Sequence, residues 1–136
     1  MDSSALQARV AAIIDLPLHR FLGVSLIDAD DPAAGATFVV DEPTQGPGGW
    51  LHGGVVYTLL DMTCYLALLP HLAEDKIAVS HAVNISLMKG VPGGSTVRLT
   101  AEVVRVGRSL AFLRAEARAE GHVVATATVT KSIIPG

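Results

Sequence analysis

The apolar run from Gly53 to Leu69 limits this chain more than any other feature. It opens on two glycines, stops at Pro70 and holds one charge, Asp61, near its middle. A membrane span would be about 20 residues long with few or no charges. The central carboxylate and the strand-like segments that follow argue instead for a helix buried in a globular domain. A helix that is apolar on nearly all sides needs cover on nearly all sides, so the rest of the chain has to wrap it.

The flanking sequence offers a sheet for that purpose. Beyond Pro70 the pattern changes to period two, a strand signal. Ile77, Val79, His81, Val83, Ile85 and Leu87 are expected on one face of a strand, with His81 a hydrogen-bonded structural residue. Val97, Leu99, Ala101 and Val103 alternate with Arg98, Thr100 and Glu102 on the next. Residues 111–120 are good helix formers, yet Arg114, Glu116, Arg118 and Glu120 alternate with Leu113, Ala115, Ala117 and Ala119. On a strand those charges line one face, and Gly107-Arg108-Ser109 and Gly121 flank the segment as turns, so a strand is expected. Val123, Ala125, Ala127 and Val129 alternate with Thr126, Thr128 and Thr130 in a last strand.

Before the run, Leu6, Val10, Ile13 and Ile14 have helical spacing, and Pro17 closes a helix within residues 1–16. Residues 18–22 can add a turn, and Val24–Ala29 and Ala36–Asp41 read as short strands. The fold class is therefore α+β: an antiparallel five- or six-stranded sheet around one central helix, 53–69, in a single domain over residues 1–136.

Composition excludes several roles. The 136 residues can bury roughly two-thirds of their unfolded surface in one domain. Half are hydrophobic and 17% charged, which excludes disorder. A net charge of -3 argues against a nucleic-acid partner. The single cysteine, Cys64, excludes an internal disulfide and a Cys-rich zinc site, and His19, His71 and His122 lack metal-ligand spacing, so no metal is expected. Met1-Asp2-Ser3-Ser4 lacks the basic start of an export signal, so a cytoplasmic protein with no membrane partner is expected.

Asp61 is the residue to explain. A buried carboxylate must be paired, hydrogen-bonded, protonated or next to a water-filled cleft. Tyr57, Thr58, Cys64 and Tyr65 lie three or four residues from it, on one stripe of the helix. Asp61 either faces solvent or hydrogen-bonds a neighbouring backbone group, or it is a catalytic carboxylate at a subunit interface. The second feature is Trp50-Leu51-His52-Gly53-Gly54. Glycines at a helix start let the backbone approach a ligand. The first N–H groups of a helix have no partner within it and lie at the positive end of its dipole, so they can hold a carbonyl oxygen that gains negative charge. His52 itself can simply bond a backbone group there.

The stretch from Leu51 to Asp61, with His52-Gly53-Gly54 and an Asp nine residues after the His, resembles the central-helix signature of the hotdog-fold thioesterases, above all the phenylacetic acid degradation (PaaI-like) branch. The resemblance continues at Val79-Ser80, at Val83 to Met88 and at Val103 to Ser109, and covers about residues 15 to 134. It implies hydrolysis of an acyl-CoA thioester at a site between two subunits of a homodimer that often pairs into a homotetramer. Asp61 of one subunit would be general base or nucleophile. Gly53 N–H of the other would polarise the thioester carbonyl. His52 would shape the turn, and Ser80 would help position Asp61 or water. Gly54, Trp50, Tyr57 and Tyr65 would contact substrate, and Trp50 can equally pack over the helix start. Lys89, Arg105 and Arg108 would bind the CoA phosphates. No cofactor is implied beyond the CoA of the substrate.

One departure stands out. The family usually places Asn, or Gln in a sister branch, six residues before the His; here that position is Gly46, with Gln45 one further out. Either a shifted loop brings Gln45 into the role or the water-positioning group is missing. The competing reading is thus a non-catalytic or weakly active acyl-CoA binding protein.

Overall fold

The computed structural model describes residues 2–136. Helix α1 (Ser3–Ile14) starts where the Asp2 carboxylate accepts the Ala5 N–H at 2.8 Å. Helix α2 (Pro17–Leu22) has proline in its first turn and ends at Gly23, whose φ of 74° a side chain would resist. Strands β1 (Ser25–Leu26) and β2 (Ala36–Val39) precede the central helix α3 (Gly53–Leu68). Strands β3 (Lys76–Leu87), β4 (Thr96–Val106), β5 (Leu110–Ala119) and β6 (His122–Pro135) follow. All six form one antiparallel sheet in the order β1-β2-β4-β5-β6-β3.

The sheet curls around α3, which is the wrapped arrangement expected of the hotdog fold. Leu59, Leu60, Cys64, Leu66 and Leu68 of the helix are fully buried against Phe38, Leu99, Leu113 and Val129 of the sheet. The run that is long and apolar enough to cross a membrane is thus the core helix. Arg9 ties α1 to the link between α3 and β3 by donating to the carbonyls of Leu72, Ala73 and Lys76 at 3.1, 3.1 and 2.6 Å.

The alternation in β5 holds throughout: Ala111, Leu113, Ala115, Ala117 and Ala119 are buried, and the charges face out. Glu102 and Arg114 are register partners and pair at 3.3 Å on that outer face. Being exposed, the pair contributes at most about 1 kcal/mol.

Four expectations need correction. Residues 77–87 do not share one face. The β3–β6 register shifts between Ser80 and Ala82, so one extra residue, His81, swaps the faces beyond it. Ser80 stands opposite the buried Lys131, and Val83 opposite the buried Val129, so both are on the inner face. Ile77 and Val79 are on the outer one, opposite Ile134 and Ser132. His81 is hydrogen-bonded, Nδ1 to Ser132 Oγ at 2.7 Å. Second, β1 is two residues rather than six, because the chain turns at Asp28, whose carboxylate accepts the Asp30 N–H. β2 likewise stops at Val39: Val40 N–H already bonds the Ser95 carbonyl, and Asp41 starts a turn closed by Thr44. Third, Cys64 leaves the Asp61 stripe and is fully buried. Burial pushes its thiol up to about 12; the Lys131 charge opposes that and the Asp61 charge adds to it. Fourth, a register shift at the start of β6 turns Val124, rather than Val123, into the core.

Strand β3 is an edge. It pairs with β6 on one side, and no described strand pairs with the other. It is long and carries exposed Ile77, Val79, Val83 and Leu87. An unpaired apolar edge of this kind is a template for pairing with another chain.

Candidate active site

Asp61 sits in the middle of α3 with its carboxylate at the wall of a cleft of about 840 Å³. Tyr57 and Tyr65, one turn before and one turn after it, line the same cleft, together with Thr58 and Met62. Ser80 and Lys131 close it from the sheet, and Ile13, Leu16 and His19 from the first two helices. His19 Nδ1 is 2.6 Å from the Ile13 carbonyl, so that nitrogen donates.

The bulge at His81 is what turns Ser80 inward. Ser80 Oγ donates to Asp61 Oδ1 at 2.5 Å. Lys131 Nζ donates to the same Oδ1 at 2.9 Å and to Ser80 Oγ at 2.6 Å, and lies 5.3 Å from the Tyr65 ring centroid. The lysine side chain is 2% exposed and the Asp61 side chain 38%. An ammonium so buried requires partners, and here the carboxylate, the hydroxyl and the aromatic face supply them. Both donors fall on Oδ1; no described residue bonds Oδ2.

The sequence carries a signal for Lys131 as well: the alternation Val123, Ala125, Ala127, Val129, continued by two residues, puts a lysine on the inner face of β6, where it is buried.

At the other end of the site, His52 precedes the first residue of α3. Its Nδ1 accepts the Gly54 N–H at 3.0 Å, so the ring proton is on Nε2. That is the backbone-bonding role. The Gly53 N–H has no partner among the described residues. Its position is fixed from behind, since His52 N–H bonds the Thr44 carbonyl at 2.9 Å and Thr44 is fully buried. Trp50 is half exposed, with its ring over Gly90 and its edge near Gly48; it lies at the helix start and does not line the Asp61 cleft.

Gly53 and Asp61 are eight residues apart on one helix, roughly 12 Å along its axis. No single carbonyl group can meet both within one protomer. Gln45 is also outside the cleft: its amide nitrogen donates to the Val40 carbonyl at 3.4 Å and packs beside Gly93. Gly46 faces the His52 side chain and adds no polar group.

Lys89, Arg105 and Arg108 are exposed, but one protomer does not gather them. Lys89 follows the end of β3, where Leu87 meets Ala125 of β6. The row of Arg105 crosses β6 at Thr130, roughly 17 Å further along that strand. Arg108 is in the turn just beyond. Among the described residues, no three His, Cys, Asp or Glu side chains cluster to hold a metal ion.

Comparison with known proteins gives one consistent answer. Residues 48–126 match the family model described as "Thioesterase superfamily". Acyl-coenzyme A thioesterase 13 of Homo sapiens is 31% identical over 118 residues, 85% of this chain and 84% of that protein. A thioesterase family protein from Silicibacter pomeroyi superposes with a TM-score of 0.84 at 24% identity, covering 99% of this chain and 100% of that one. A Bacillus halodurans protein solved with CoA superposes with a TM-score of 0.80 at 20% identity, covering 96% and 84%.

Proposed function

The chain belongs to the thioesterase superfamily and is a thioester hydrolase, and from that premise we propose that it hydrolyses an acyl-CoA to the free acid and CoA at a site shared by two copies of the chain. The observation that carries this reading is the split of α3: an open carboxylate oxygen in a cleft at its middle, and an unpartnered N–H roughly 12 Å away at its start. A second copy, set against the bare edge of β3, would bring its own Gly53 to the first copy's Asp61. Exposed apolar Val83 and Leu87 on that edge suit such cover. Pairing of two dimers into a tetramer belongs to the same reading.

In the reaction, the thioester carbonyl oxygen accepts the Gly53 N–H of one copy. Asp61 Oδ2 of the other takes a proton from a water, whose oxygen attacks the carbonyl carbon. The oxyanion of the tetrahedral intermediate remains on the N–H at the positive end of the helix dipole. Collapse expels the CoA thiolate, which takes up a proton. Asp61 can also attack directly and form an anhydride that water then cleaves. His52 holds the turn, Ser80 holds Asp61, and Gly54 completes the helix start.

Tyr57 and Tyr65 flank Asp61 and favour an aromatic acyl group, of the phenylacetyl kind. Arg105 and Arg108 of one copy and Lys89 of the other would then meet the nucleotide phosphates. The CoA found in the Bacillus halodurans protein agrees with that class of substrate. No cofactor is needed, and a buried lone thiol suits a cytoplasmic setting.

The experiment is thiol release from phenylacetyl-, hydroxyphenylacetyl-, benzoyl-, acetyl-, hexanoyl- and palmitoyl-CoA, with wild type and Asp61→Asn, beside light scattering at micromolar concentration. Turnover lowered at least about a hundredfold by the substitution, the scale of a lost general base, and a dimer or tetramer are expected. A monomer, or full turnover by Asp61→Asn, refutes the reading. The weak-binder alternative draws on Gly46 and on a Gln45 amide already bonded to Val40; CoA binding with no turnover of any thioester would select it.

A further inference from the structure

Lys131 lies outside the motif from Leu51 to Asp61, and it is a buried charged side chain. Its ammonium is on the inner face of β6, 2% exposed, with Asp61 Oδ1, Ser80 Oγ and the Tyr65 ring as partners. A buried ion pair can often be exchanged as a whole for apolar side chains without loss of stability, so stability alone does not account for this one. What the lysine does is specific to one atom. Together with Ser80 it fills Oδ1, and that fixes the rotation of the carboxylate about its own axis. Oδ2 is left without a hydrogen-bond partner among the described residues, on a side chain that lines the cleft.

We propose that Lys131 is a positioning residue: it locks the Asp61 carboxylate so that Oδ2 alone faces the attacking water or the thioester carbon. Without the lysine, Ser80 supplies one bond, and the carboxylate can turn either oxygen to the cleft or swing away from it. Near-attack geometry is then populated part of the time, and displacement of a reacting group by an ångström lowers a rate on the order of a hundredfold. The proposal rests on the reading of Asp61 as the reacting carboxylate.

The two partners are unequal, and that makes the pair testable. Asp61 keeps 38% exposure, so a carboxylate deprived of its lysine is still reached by water. The lysine at 2% exposure is not, so it is the member that cannot be left alone. The test compares wild type, Lys131→Met, Asp61→Asn and the double variant, each for melting temperature and for kcat and KM on the best acyl-CoA. Lys131→Met is expected to fold and to lose kcat by roughly 10- to 100-fold with KM unchanged. Added to Asp61→Asn it is expected to lower kcat no further, because the lysine acts only through that carboxylate. The double variant is expected to melt above Asp61→Asn alone, since it no longer buries an unpaired ammonium.

Wild-type kcat in folded Lys131→Met overturns the proposal. So does an equal loss of rate with and without Asp61, which would mean action on the substrate or on the fold at large. Should Lys131→Met not fold, Lys131→Arg takes its place: a longer, planar fork in a site built for a compact ammonium shifts the donors to Oδ1 and Ser80 Oγ, so loss of kcat at constant KM is expected and wild-type turnover overturns. Failure of the underlying reading looks different, because there Asp61→Asn itself turns over normally.

Discussion

Replacing Gly53 by proline deletes the N–H at the helix start and puts the ring's Cδ in its place. Gly53 is the first residue of α3, the position where proline is most welcome in a helix. His52 before it has φ -74° and ψ 125°, extended backbone that a following proline accepts. The N–H to be deleted bonds nothing among the described residues. The new ring has one close neighbour: a Cβ at Gly53 would stand 2.8 Å from Leu87 Cδ1, the tip of an exposed side chain that can rotate away. Proline also restricts the unfolded chain, so folding stability should hold or rise by up to about 1 kcal/mol. Turnover is another matter. Loss of one oxyanion donor typically lowers kcat by roughly 10²–10³, or about 2.7–4 kcal/mol of transition-state stabilisation. Gly53→Ala adds the Cβ and keeps the N–H, so the ratio of its kcat to that of Gly53→Pro separates the change at the nitrogen, a donor lost and a Cδ gained, from the effect of the Cβ. The assay is steady-state thiol release, with thermal melting of all three proteins. Equal kcat for the proline and alanine variants, both folded, would refute the assignment of this N–H to the thioester carbonyl.

Two further outcomes follow from the geometry. Because burial raises the Cys64 thiol to about 12 from 9.0, the unfolded chain ionises it at lower pH than the folded one, so stability falls as pH rises through 9 towards 12. Denaturant melts across that range should show the decline, Cys64→Ala should lack it, and rapid labelling of the native thiol at neutral pH would contradict the burial. Arg105→Ala and Arg108→Ala should each raise KM for acyl-CoA a few-fold to about tenfold at constant kcat, the scale of one screened phosphate contact. A thioester without the nucleotide should show no such difference, and an unchanged KM for acyl-CoA would remove these arginines from the CoA site.

Much of the fold was legible because period and burial agree. The charges of β5 sit at every second residue, and only a strand can place them all on one side, whatever the helix propensity of alanine and glutamate. The α3 run was equally plain, since an apolar cylinder leaves one solution. The places where the sequence misled are the places where a period breaks. His81 is an inserted residue, and an insertion leaves no mark in a row of alternating apolar side chains; only the pairing with β6 reveals that Ser80 faces in while Val79 faces out. Lys131 is hard to read from sequence because a charge ordinarily ends an inward-facing series, and here it continues one. Helical spacing puts Cys64 beside Asp61, yet three residues on is far enough around the cylinder to enter the core. Gln45 has the right chemistry, but its side chain is held by Val40 on the far side of the loop, a fact of loop geometry that spacing does not encode.

The distance between the two ends of the chemistry along α3 has a consequence for how damage is shared. Each helix would serve one reaction centre with its start and the opposite centre with its middle. A chain that carries Gly53→Pro and a chain that carries Asp61→Asn are each disabled in a pure assembly, at every centre. Placed together in one mixed pair, they gather both lesions into one centre and leave the other with an undamaged helix start and an undamaged carboxylate. Two inactive preparations, unfolded and refolded as a mixture, would therefore restore turnover that neither possesses alone.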